Sequence, residues 1–175
     1  MEQKDSVHFL IKMNFTDKII PAKSLGGVKL GKTINNYLME ELMDKEITND
    51  VIIYKNKRCF IEIFVNKTTK IIYKISALYG YKGLFDNYIS VGNDAIKILN
   101  TYNDFFLDEC EEGILSKEIK GIFIELDKED PLIEELDKLK IEAITIFQEK
   151  SFPISYYNPN LSTVVSQEGV TTKKI

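Results

Sequence analysis

The chain is expected to fold as an α+β protein, a single compact domain built from two related helix-plus-antiparallel-sheet halves. Three observations predict this. Helical periodicity gives way to closely spaced β-rich runs, and it does so twice along the chain. The two helical segments open alike, as LGKTINNYL (30–38) and VGNDAIKIL (91–99), which align without a gap from an apolar residue and a glycine to a shared final leucine. Helices precede hairpins rather than alternating with single strands, which disfavours a doubly wound parallel sheet. The expected domain covers residues 1–150, with halves at about 17–86 and 87–150, and residues 151–175 form a tail that wraps the surface or frays.

Taken in order, VHFLIKMNF (7–15) is apolar enough for a first strand, and Pro21 with the glycines at 26, 27 and 31 breaks what precedes the helix. Ile34, Tyr37, Leu38 and Leu42 then recur at helical spacing, with Thr33 as the expected N-cap. VIIY (51–54), CFIEIFVN (59–66) and IIYKISAL (71–78) are rich in β-branched and aromatic residues. The short polar connectors KNKR and KTTK make them an antiparallel meander. Past Gly80 and Gly83, the stripe Ala95, Ile98, Leu99 and Tyr102 predicts a second helix capped by Asn93 or Asp94. GIFIELD (121–127) and IEAITIF (141–147) read as strands by alternation. DKEDPLIEELDKLK (127–140) between them is a short helix begun at Asp130-Pro131, or an ordered acidic loop.

Composition narrows the chemistry. Hydrophobic residues are 44% of the 175-residue chain, enough for a substantial core. No apolar run approaches the roughly 20 residues that span a bilayer, and the N-terminus lacks the apolar centre of a secretory signal, so a cytoplasmic protein without a membrane partner is expected. His8 is the sole histidine, and Cys59 and Cys110 form no C-x-x-C pair, which disfavours a metal site or a histidine-dependent nucleophile. The net charge of −4 conceals an asymmetry: residues 1–103 hold 15 Lys/Arg against 11 Asp/Glu, whereas residues 104–142 hold 5 against 14. An acidic segment repels a phosphate backbone, so no nucleic-acid partner is expected there. It suits a basic protein.

GGVKLGKT (26–33) fits the phosphate-loop pattern G-x-x-x-x-G-K-[ST], which would make Gly26, Gly31, Lys32 and Thr33 a nucleotide site. Such a loop needs a buried strand before it, but IIPAKSL (19–25) places Pro21, Lys23 and Ser24 there. The second copy keeps the glycine and loses the Lys-Thr pair, so a glycine turn explains the match better and no cofactor is expected. The acidic stretch DFFLDECEEG (104–113) lacks the ligand order of a calcium loop. Its five acids, Asp104, Asp108, Glu109, Glu111 and Glu112, stand beside Phe105 and Phe106, the composition of a protein-binding edge or of a solvated loop.

KSLGGVKLGKTINNYL, the meander, the second glycine turn and GIFIELDKEDPLIEEL…IEAITIF together resemble immunity proteins of bacterial polymorphic-toxin and contact-dependent growth-inhibition systems. The layout is also similar to the repeat of β-lactamase-inhibitor-type proteins and small outer-membrane assembly lipoproteins, over roughly residues 17–148. The resemblance implies a non-enzymatic protein that caps a cognate toxin, often a basic nuclease. The five acids with Phe105 and Phe106 are the expected contacts. Two other functions are weighed against it: nucleotide binding through Gly26–Thr33, and a self-associating assembly module.

Overall fold

A computed structural model describes residues 12–37, 42–47, 50–56, 58, 60–108 and 110–148. It is dominated by one antiparallel sheet of eight strands. A two-stranded hairpin comes first, β1 (Ser24–Leu25) and β2 (Val28–Lys29), turned by Gly26 and Gly27 at φ 62° and 78°. The large sheet is built from β3 (Leu42–Ile47), β4 (Val51–Asn56), β5 (Ile61–Asn66), β6 (Ile72–Ala77), β7 (Phe105–Asp108), β8 (Gly113–Ser116), β9 (Ile122–Leu126) and β10 (Ile141–Phe147). Its spatial order is β3-β4-β5-β6-β10-β9-β8-β7. Two four-strand runs therefore meet at a seam, where β10 pairs with β6 through Ile144↔Ala77, Thr145↔Ser76, Ile146↔Ile75 and Phe147↔Lys74.

The expected α+β architecture with two helix-plus-sheet halves is not what forms. Among the described residues the α-helical content is the single short α1 (Ile96–Thr101). The helix predicted from Thr33 is a three-residue 3-10 turn at Ile34–Asn36, followed by β3 where Leu42 was expected to close a helical stripe. Thr33 makes no side-chain capping bond, and α1 begins after Ala95, which has none to give. Asn93 and Asp94, the expected caps, have other partners: Asn93 Oδ1 accepts from the Ser90 N–H at 3.1 Å, and Asp94 pairs with Lys140. Residues 12–15 carry no strand, and the rest of the predicted first strand, like the tail 151–175, lies outside the described residues.

What the two glycine segments share is a clip. The Gly31 N–H donates to the Ile72 carbonyl (2.8 Å), the Ile72 N–H to the Lys32 carbonyl (2.9 Å) and the Ile34 N–H to the Lys70 carbonyl (3.0 Å). Gly92, Asn93 and Ala95 repeat this on Ile141 and Leu139 at 2.8, 2.9 and 2.9 Å. Each turn thus fastens onto the residue that opens β6 or β10, the seam strands. Positive φ at both glycines, 75° and 84°, lets the chain turn at the clip without a Cβ clash.

Strand alternation sorts the sheet into two faces. Ile61, Ile63, Val65, Ile72, Ile75, Ile122, Ile124, Ile144 and Ile146 are buried on the first. Residues from the segments before β3 and between β6 and β7 complete this core, among them Leu25, Val28, Ile34, Tyr37, Phe85, Ile89 and Ile98. A β-carbon on Gly26 would stand 2.3 Å from Ile61 Cδ1, which shows how closely the β1–β2 turn lies over the sheet. The second face carries Glu62, Phe64, Lys74, Ser76, Leu115, Phe123, Glu125 and Thr145.

Candidate functional site

The second face holds a groove of about 530 Å³ spanning β6, β10, β9 and β8. Leu115, Phe123, Leu126 and Phe147 supply its apolar lining, and six carboxylates surround that lining: Glu111, Glu112, Glu125, Asp127, Glu129 and Glu142. Among the described residues, Lys74 and Lys128 are the cations on its wall. The Lys74 ammonium sits 4.4 Å from the centre of the Phe64 ring, and Lys128 pairs with Glu135. Among the described residues the groove thus keeps a strong excess of negative charge over an apolar floor that is mostly buried, with Phe123 partly exposed.

Local sequence explains the floor. Gly113 stands opposite Glu125 in the β8–β9 register, and a β-carbon there would meet Phe123 Cζ at 2.4 Å. The missing side chain lets the Phe123 ring lie across β8. Beneath, a hydrogen-bonded relay crosses the seam. Thr145 Oγ1 donates to Glu125 Oε1 at 2.8 Å and lies 2.7 Å from Ser76 Oγ. A hydroxyl has one proton to give, so Ser76 must donate to Thr145. Both hydroxyls are buried, and the relay fixes the Glu125 carboxylate while satisfying them.

The structure divides the expected contact residues. Glu111 and Glu112 reach the groove wall. Burial pushes the Glu111 carboxyl up, and the charge of Asp108 pushes it further. Asp108 shapes the turn instead, its Oδ1 accepting from the N–H groups of Cys110 (3.0 Å) and Glu111 (3.1 Å). Asp104 accepts from Ser116 Oγ, and its carbonyl takes the Lys117 N–H at 2.9 Å, closing the other end of the β7–β8 hairpin. Phe105 is core, its ring centre 5.9 Å from that of Phe85 and 5.4 Å from that of Tyr102 in tilted contacts. Phe106 is half-buried opposite Leu115, with Lys117 5.6 Å from its ring centre. Glu109 lies outside the described residues.

Four groove acids were missed: Glu125, Asp127, Glu129 and Glu142. The signal for Glu125 was present, since an acid interrupting GIFIELD marks the face that β9 turns away from the core. Glu142 stands at the register shift between Ile141 and Ala143, which alternation alone does not reveal. Among the described residues no group of three or more His, Cys, Asp or Glu is arranged to hold a metal ion.

GGVKLGKT has a different geometry from a phosphate cradle. Gly26 and Gly27 turn the small hairpin, and the N–H groups of Lys29, Leu30, Gly31 and Ile34 are taken by Tyr37 Oη, Lys23, Ile72 and Lys70. A phosphate needs such donors to converge on it at the start of a helix. Isothermal titration with MgATP is expected to show no binding heat; a saturable heat abolished by Lys32→Ala would contradict this.

No described helix is long and apolar enough to cross a membrane. Compared with known proteins, the chain matches no family model, no curated protein and no solved structure.

Proposed function

We propose that this chain is a non-catalytic immunity protein of the bacterial cytoplasm that neutralises a basic toxin domain by binding it. The observation that carries the reading is the groove: six carboxylates around an apolar floor, with Glu111 and Glu112 on its wall. Carboxylates at a rim steer a cationic surface into place, and the partly exposed Phe123 ring among them offers an apolar contact. A toxin that grips a phosphate backbone carries such a cationic surface, and an acidic groove competes for it.

The reading expects a toxin gene beside this one, and the test is growth of bacteria that express that toxin. The wild-type chain is expected to restore growth, and the Glu111→Lys/Glu112→Lys double variant to lose most of that protection while remaining folded. Binding of the purified pair should weaken as ionic strength rises, because rim charges are screened. Full protection by the reversed variant, or salt-independent affinity, would remove the groove from the account. Failure of the wild-type chain to protect would end the immunity reading.

A further inference from the structure

The loop between β9 and β10 offers a second contact that the groove does not need for its own structure. It is an ordered element. Its neck is closed by the Asp127 N–H donating to the Lys140 carbonyl (3.1 Å) and the Lys140 N–H donating to Asp127 Oδ1 (2.8 Å). The Lys128–Glu135 ion pair ties the two flanks, and a 3-10 turn at Ile133–Glu135 forms the crest. Pro131 and Leu136 are buried, so the loop is anchored on both sides of the residues between them. That anchoring turns Leu132 and Ile133 outward, 46% and 64% exposed.

Two adjacent aliphatic side chains held in solvent by a fixed loop gain nothing for folding. They are a pre-organised apolar knob, whose ordering cost is met before any partner arrives. Glu129, Asp130, Glu134 and Asp137 are exposed along the same loop, as is Lys138, while Lys128 and Lys140 are ion-paired with Glu135 and Asp94, so the loop is net acidic. The knob follows the groove wall in the chain: Asp127, Lys128 and Glu129 line that wall, and Leu132 comes three residues on, within about 11 Å of extended chain.

We infer that Leu132 and Ile133 form an apolar docking point for a cationic amphipathic segment of the partner, with the partner's cations directed into the groove and its apolar side chains onto the knob. Charge complementarity selects the occupant. An apolar segment flanked by acids would be repelled, and a cationic segment without apolar residues would leave the knob wet. The inference deepens the toxin-binding reading and rests on it for the identity of the partner, while the chemistry of the surface can be tested without the toxin.

Two short peptides serve as probes, one alternating lysine and leucine and the other alternating lysine and serine. Fluorescence anisotropy with the full chain should show the leucine peptide bound about tenfold more tightly, in keeping with partial burial of two aliphatic side chains. In Leu132→Ser/Ile133→Ser the preference should fall severalfold, to what the partly exposed Phe123 in the groove supplies, while the serine peptide binds as before. Because both residues are exposed, the melting temperature should hold, which keeps loss of preference distinct from loss of fold. A wild-type chain that does not discriminate, or a preference undiminished in the double variant, would overturn the inference. Discrimination by a chain that gives no protection from the toxin would sustain the docking point and sink the immunity reading.

Discussion

Gly83→Ala is expected to destabilise the protein by about 3 kcal/mol, the combined cost of overpacking and of a broken buried hydrogen bond. A β-carbon at Gly83 would lie 1.9 Å from the Asp17 carbonyl oxygen, 2.5 Å from Tyr81 Cε1 and 2.8 Å from Tyr81 Oη. The carbonyl cannot swing away freely, because it accepts the Tyr81 hydroxyl at 2.6 Å. Neither backbone can retreat: the Lys82 N–H is bonded to the Phe15 carbonyl (3.0 Å) and the Ile19 N–H to the Leu84 carbonyl (2.9 Å). Urea denaturation measures the loss as a lower midpoint with an unchanged slope. Gly92→Ala is the control. Its nearest neighbour would be Tyr79 Cε2 at 3.8 Å, so only the positive φ of 84° penalises it, at about 1 kcal/mol. Equal effects at the two sites would refute the contact at Gly83.

Alkaline pH is the second strong lever. Burial pushes the phenols of Tyr37 and Tyr81 up, with the Lys29 N–H bonded to the Tyr37 oxygen opposing it in part. Burial, the hydrogen bond to Asp86 and nearby charge push Tyr102 up to about 12. These groups hold their protons more tightly in the folded than in the unfolded chain. Their contribution is therefore complete below the unfolded value of 10.0 and is lost as pH rises through the folded values. Tyr37 and Tyr81 are almost wholly buried, and each steepens the decline by up to about 1.4 kcal/mol per pH unit once the unfolded phenol ionises. The share of tyrosinate absorbance contributed by the buried phenols and the far-ultraviolet circular dichroism, followed together, should change in one cooperative step above pH 10. Phenol ionisation that completes well before the dichroism changes would show that these hydroxyls are accessible in the native state.

Strands whose side chains alternate or run apolar were legible. IEAITIF became β10 residue for residue, and VIIY, CFIEIFVN, IIYKISAL and GIFIELD gave β4, β5, β6 and β9 within a few positions. The misses share one cause: local chemistry pointed one way and pairing decided otherwise. LMDKEI, charged and without a β-branched residue before its end, suited a helix and became β3 through its ladder with β4. The charge of DFFLDECEEG hid a hairpin, although Phe105 and Leu107 opposite Ser116 and Ile114 carry an apolar alternation, and Asp108 is well placed to bond the turn. Of the groove wall, Glu111 and Glu112 belong to the acidic, phenylalanine-flanked segment that the sequence singled out. The remaining groove acids come from strand ends more distant in sequence, and only the sheet order brings them together.

That sheet order also bears on the chain as it leaves the ribosome. β6 ends at Ala77, yet the strand that covers its free side ends at Phe147, roughly 70 residues later. At 5–20 residues per second, about 4–14 s of synthesis separate the two. Throughout that interval the nascent polypeptide displays an unpaired β edge to its neighbours on the same messenger. Slower translation of the stretch between them would lengthen the exposure and raise the yield of aggregate, without altering one contact of the finished protein.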